Sequence, residues 1–220
     1  MSARKSAIAI IDLFYTQSNL KGLLEQENFE HFNFDYYSSN YRDRLSGQNS
    51  RELATRAYQE CMNFIHNFDT EHGNLLLFGN TGIGKTFLSH CIAKEVMDSL
   101  HSVLYLTASE FFDALLEKAL NRNDESCLLY EQIHLCDLLI IDDLGTERNT
   151  DFVVSQLFVC LNDRILNRKS TIISTNLTLE EIKTNYTERT FSRISNHYKI
   201  LRLAGDDIRI QKKLMYREEH

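Results

Sequence analysis

Apolar residues fall along this chain in two alternating rhythms. Short continuous runs occur at 74–79, 103–108, 138–143, 171–176 and 199–204, each closed by a glycine, a small residue or a polar side chain. Runs of this length without alternation are the mark of strands buried on both faces. Between them the spacing changes to threes and fours. Residues 49–68 carry Leu53, Ala57, Cys61, Phe64, Ile65 and Phe68, one face of an amphipathic helix. Further helices are expected from Lys85 to about Leu100, from Ser109, over 126–135, over 151–167, and after Thr178, where Glu181 three residues on completes a capping box. Strand and helix in alternation predict a parallel sheet covered by helices. The first twenty-odd residues read as a helix lacking strong caps. Residues 27–37 form an aromatic-rich irregular stretch, followed by a polar one at 46–50, together an ordered strap ahead of the first long helix.

Length refines this picture: 220 residues and 25.7 kDa suit one sizeable domain with an appendage. No apolar stretch approaches the roughly 20 residues that cross a bilayer, so a soluble cytoplasmic protein without a membrane role is expected. Five cysteines, with no Cys-x-x-Cys pair, argue against disulfides and structural metal. The net charge of −7 is unevenly spread: 183–217 holds nine Lys or Arg against three Asp or Glu, whereas 61–182 holds eight against eighteen. Such segregation suits a local basic surface for nucleic acid or an acidic subunit face, and equally a solvated charged face.

The candidate chemistry sits at the strand ends. Gly79-Asn80-Thr81-Gly82-Ile83-Gly84-Lys85-Thr86 matches G-x-x-x-x-G-K-[ST] behind a strand and ahead of a helix that continues with Phe87. Such a loop aims backbone N–H groups and a helix N-terminus at phosphate, with the lysine on the terminal phosphates and the hydroxyl on Mg2+. The run Leu138-Leu139-Ile140-Ile141 ends in Asp142 and Asp143. Asp142 is the candidate metal ligand, and Asp143 the candidate to orient or deprotonate an attacking water. Asn176 closes another strand, where it can sense the terminal phosphate or cap the following helix. Arg189 and Arg193 lie four apart, on one face if 187–195 is helical. One of them can serve a neighbouring subunit's phosphate, or both can be ordinary surface arginines.

Taken together these motifs resemble the AAA+ ATPases, and more narrowly the DnaC/DnaI/IstB group of replicative helicase loaders and transposition helpers. The runs 74–89, 142–145, 174–176, 191–194 and the closing Gly205-Asp206-Asp207-Ile208-Arg209 carry the likeness, which spans about 27–213. It implies an α/β P-loop NTPase fold with a five-stranded parallel sheet in the order 5-1-4-3-2 and helices on both faces. It also implies an ATP-binding domain over 27–220, preceded by a segment 1–26 of no assigned role, either what is left of a truncated helicase-binding domain or an abbreviated form of one. By position Arg193 matches the arginine finger, with Arg189 a second candidate, and Asn176 matches sensor 1. The strap would help enclose adenine, making Phe29, Phe32 and Phe34 candidates for stacking on the base or for filling the core. The region 109–136 corresponds to an element that touches single-stranded DNA, though here Lys118 and Arg122 stand among acidic residues. Two departures stand out. Asp143 replaces a more usual Glu, which implies slow hydrolysis, and only about 75 residues precede the phosphate loop, leaving little room for a separate helicase-gripping domain.

The resemblance thus implies a Mg2+-dependent ATPase, acting as a homo-oligomer, that loads or remodels a replicative DNA helicase on single-stranded DNA. A transposition helper, a small-molecule P-loop kinase and a nucleotide-gated binding module with little turnover are the alternatives.

Overall fold

A computed structural model describes residues 20–120 and 124–218; of the helix expected over the first twenty-odd residues, the first nineteen lie outside them. Five strands, β1 (Leu75–Phe78), β2 (Val103–Thr107), β3 (Leu138–Leu144), β4 (Ser170–Thr175) and β5 (Lys199–Arg202), form one parallel sheet in the order β2-β3-β4-β1-β5. Read from the other edge this is 5-1-4-3-2, as the resemblance implies. The last strand is assigned only to Arg202, short of the expected Ala204, although Leu203 N–H still donates to the Phe78 carbonyl at 2.9 Å.

Period-two geometry divides the strand residues between two cores. Leu75, Leu77, Ile140 and Ile172 face one side, where α2 (Ser50–His66) presents Ala57, Cys61 and Phe64, and α4 (Lys85–Asp98) presents Leu88, Ile92 and Val96. Leu76, Leu139, Ile141 and Ile173 face the other, under α5 (Ala108–Ala119), α6 (Asp124–Leu135), α7 (Asp151–Leu166) and α8 (Leu179–His197). The remaining helices are α1 (Leu20–Gln26), the single turn α3 (Phe68–Glu71) and the terminal α9 (Ile208–Glu218). Leu24 of α1 already belongs to the first core.

Local sequence explains the starts. Asn49, Thr107 and Thr178 each accept from an N–H three residues on and receive a glutamate in return, so α2, α5 and α8 open on full capping boxes. The box at Thr107 and Glu110 is why α5 begins at Ala108 rather than Ser109. The strap is two 3-10 turns, Phe29–His31 and Phe34–Tyr36, opened by Asn28 and Asn33 side chains that accept from the second residue on. It is pinned to the sheet by a bidentate pair: Arg202 of β5 donates to Asp43 at 2.8 and 2.6 Å, with Asp43 only 3% exposed. Arg164 of α7 is fully buried and donates to the Ile133 and Cys136 carbonyls at the end of α6, and to Ser170 and Thr171 of β4. A cation placed against the carbonyl end of a helix offsets the partial charge there.

Among the described residues no helix is long and apolar enough to cross a membrane.

Candidate functional site

The carboxyl ends of β1, β3 and β4 converge where a parallel sheet binds ligands. There the chain folds a cavity of about 340 Å3, lined on one side by the loop residues Thr81, Gly82, Gly84, Lys85, Thr86 and Phe87, and on the other by the strap. The loop does what its glycines require. Gly84 takes φ 91° at the N-cap of α4, where the Tyr37 hydroxyl crowds the place a Cβ would occupy and donates to the Ile83 carbonyl at 3.2 Å.

Lys85 is 4% exposed, and its ammonium uses all three donors: on the Gly79 carbonyl at 2.9 Å, the Asn80 carbonyl at 2.7 Å and Asn176 Oδ1 at 2.7 Å. Burial draws its pKa below the ordinary lysine value, and the carboxylates of Asp143 and Asp142 oppose that shift. The bond to Asn176 ties the end of β4 to the phosphate loop. The helix that follows β4 is capped by Thr178, so Asn176 is free of the capping task.

Two consecutive carboxylates on a strand would point to opposite faces, yet both serve this edge. The register explains it: Ile141 pairs with Ile173 and Leu144 with Thr175, so β3 spends one residue more than β4 over the same stretch. Asp143 sits in this bulge at φ 56°, left-handed, which Asp tolerates better than most side chains. Its N–H donates to Ser174 Oγ at 3.0 Å and it lines the cavity. Burial, then the charge of Asp142, push its pKa above the usual carboxylate value.

Asp142 stays in register, 5% exposed, and its two oxygens are crowded with hydroxyls. Thr86 donates at 3.0 and 3.3 Å, Tyr105 at 2.6 Å, and Ser174 closes on Oδ1. Burial and the Asp142 charge push the Tyr105 phenol upward, so it remains a donor. Thr86 and Asp142 are hard oxygen donors side by side, the set that Mg2+ takes alongside phosphate oxygens and water. No cluster of three or more His, Cys, Asp or Glu suited to a metal is found among the described residues.

The structure separates the strap phenylalanines. Both Phe29 and Phe32 pack on Tyr58, with centroids 5.2 Å apart, and against the first core, but of the two it is Phe32 that lines the cavity. Phe34 packs against Phe32 and Tyr58. Glu27, His31, Asn33, Tyr36 and Tyr37, which no sequence motif singles out, also line the cavity. The closing 205–209 run has no position that the sequence alone assigns. That run folds back on the loop: Ile208 N–H donates to the Gly82 carbonyl at 2.8 Å, the Asp207 carboxylate fills the space over Gly82, and Ile208, Arg209 and Lys212 form a wall of the cavity. Arg209 is paired with Asp207 at 2.6 Å.

Arg189 and Arg193 stand elsewhere. Both are exposed on α8 and neither belongs to the cavity lining. Arg189 lies over the Phe158 ring at 5.2 Å. The helix is broken just before them at Thr187, with φ 74° and ψ 157°, so the expected helical face starts after the kink.

A phosphate loop, an acidic strand end and a 5-1-4-3-2 sheet define a P-loop AAA+ ATPase fold. The sequence model of the family described as IstB-like ATP binding protein matches residues 15–215, and the chain belongs to that family. The replicative helicase loader DnaC of Escherichia coli (strain K12) is 23% identical over 180 residues, covering 82% of this chain and 67% of that protein. The chromosomal replication initiator protein DnaA of Treponema pallidum (strain Nichols) is 27% identical over 164 residues, 74% of this chain but 33% of the initiator. The chain thus spans only a third of that relative. Among solved structures, the DnaC helicase loader superposes with a TM-score of 0.61 at 24% identity, over 78% of this chain and 96% of that one. AMPPCP-bound DnaA from Aquifex aeolicus gives 0.63 at 20% identity, over 87% and 55%. At these identities the likeness speaks for the fold.

Proposed function

We propose that this protein binds ATP with Mg2+ in the cavity over the phosphate loop, hydrolyses it slowly, and uses the nucleotide state to load or remodel a replicative DNA helicase on single-stranded DNA. The observation that carries the nucleotide reading is the meeting of Lys85, Asn176, Thr86, Asp142 and Asp143 within one hydrogen-bonded edge of the sheet. In this reading residues 27–220 are the ATP-binding domain. Lys85 and the loop N–H groups of 79–86 hold phosphate, Thr86 and Asp142 hold the metal, and Phe32 with its neighbours flanks the base. The metal, when bound, neutralises charge building on the phosphate oxygens. Asp143 accepts a proton from water or orients it, and Asn176 fixes its position against the phosphate. Lys85 then exchanges loop carbonyls for phosphate oxygens, a charged acceptor that makes a stronger bond.

Arg193 lies outside this cavity, so its contribution belongs to a neighbouring copy in a homo-oligomer. The helicase as partner rests on the likeness to DnaC, which runs over most of the chain. Membership of the IstB-like family favours a second reading, a transposition helper acting with a transposase on duplex DNA. Co-purification of the full chain with a replicative helicase and, separately, with a transposase tests the choice. Retention of helicase with ATP, lost in Lys85→Ala, supports the first; retention of transposase alone supports the second and ends the first.

A further inference from the structure

One half-buried side chain beside the Asp142 carboxylate has no part in the proposed chemistry. Tyr105 lies on β2, and its register partner on β3 is Ile140. Residues 140 and 142 share a face, so Tyr105 sits diagonally from Asp142, within reach of a long aromatic side chain. Its phenol donates to Asp142 Oδ2 at 2.6 Å. From the other neighbouring strand, β4, Ser174 donates to Oδ1 and accepts from the Asp143 N–H at 3.0 Å. The strands on both sides of β3 therefore grip one carboxylate each by a hydroxyl.

A carboxylate offers about four lone-pair positions. Tyr105, Ser174 and Thr86 take three of them, which leaves about one for the metal or its water. A carboxylate held in this way cannot rotate freely to offer both oxygens. The Tyr105 ring is itself fixed: His90 of α4 packs on it with centroids 4.8 Å apart, and His90 Nδ1 is hydrogen-bonded to Glu27 Oε2 at 2.5 Å. Glu27 lines the cavity at the start of the strap.

We propose that Tyr105 is a positioning residue for the metal: with Ser174 it aligns Asp142 so that one oxygen faces the cation, and it sets the Mg2+ affinity of the nucleotide site. The proposal rests on the Mg-ATP reading above. Partners that orient a metal ligand in this way typically change metal affinity by roughly 10- to 100-fold when removed. A purely structural Tyr105 would alter stability and leave the magnesium requirement alone.

The test uses the full chain and a fluorescent ATP analogue titrated at a series of MgCl2 concentrations. Tyr105→Phe keeps the ring packing and removes only the donor. It should raise the magnesium concentration for half-maximal nucleotide binding about tenfold, with nucleotide affinity in EDTA unchanged within about twofold. Ser174→Ala approaches the same carboxylate from the opposite strand and should shift the requirement in the same direction, which keeps the idea testable if one variant folds poorly. A magnesium half-point unmoved in a folded Tyr105→Phe, while the wild-type protein depends on magnesium, overturns the role of Tyr105 and leaves the ATPase reading standing. A wild-type protein whose nucleotide binding ignores magnesium overturns both.

Discussion

The phosphate loop and the arginine-bearing end of α8 are built on opposite plans. Around the loop every group is spoken for: Lys85 uses three donors, Asp142 accepts from three hydroxyls, and the 205–209 run closes over Gly82. At α8 the arginines stand in solvent after a kinked residue, and only a ring face accompanies Arg189. A site that is complete in one chain binds its ligand with geometry paid in folding. A guanidinium held away from any phosphate acts only when another surface comes to it. On the proposed function, binding belongs to the loop region and rate to the assembly.

That contrast can be broken most sharply at Arg193. Arg193→Ala should lower ATP turnover about a thousandfold, the usual scale of a trans arginine, and leave nucleotide affinity in dilute protein unchanged. Equal turnover per subunit at high dilution and at high concentration would remove the contrast altogether. Asp143→Asn comes next: removing a group that orients or deprotonates water costs about a hundredfold or more in turnover, with binding retained in an equilibrium titration. Loss of binding instead would mean that Asp143 supports the loop rather than the chemistry. Lys85→Ala should weaken nucleotide about a hundredfold, the effect of deleting one partner of a buried charged contact, whatever the protein concentration.

Two smaller effects concern stability. Asp43→Asn removes the carboxylate that Arg202 holds well below the usual range, and should cost about 2 kcal/mol at neutral pH. A carboxylate with a depressed folded-state pKa stabilises above its unfolded value, about 3.9, and loses that contribution as pH falls through the folded value. The gap between variant and wild type in denaturant melts should therefore close progressively below about pH 4. A gap constant down to pH 2 would assign the effect to packing. Thr187 holds a conformation suited to glycine, which costs about 1 kcal/mol or more. Thr187→Gly should recover roughly 1 kcal/mol in the same melts; a loss would show that the threonine side chain outweighs its strain.

The strand ends carrying chemistry were legible because apolar runs and glycines are local signals. The sheet order and the loop-strand-helix sequence followed from the resemblance carried by those motifs. The cavity wall was less legible. Glu27, His31 and Tyr36 look like any surface residues of an aromatic stretch, and it is contacts between distant segments, Asp43 with Arg202, Tyr37 with Ile83 and Glu27 with His90, that bring that stretch over the loop. Phe29 and Phe32 look interchangeable in sequence and both pack on Tyr58, yet Phe32 lines the cavity and Phe29 does not. Arg164 gave no signal at all, since its partners are backbone carbonyls and a hydroxyl rather than a carboxylate.

By itself the sequence determined that a glycine loop of the phosphate-binding pattern stands at 79–86 behind a strand, that another strand ends in two carboxylates, and that the sheet is parallel and buried. Those properties depend on residues close together in the chain. Which carboxylate faces the cavity was decided by a one-residue bulge in the pairing of β3 with β4, and which hydroxyls hold the other by the register of three strands. Strand pairing is a contract between distant segments, so a slip of one residue reverses every face. No local pattern in the chain contains that choice.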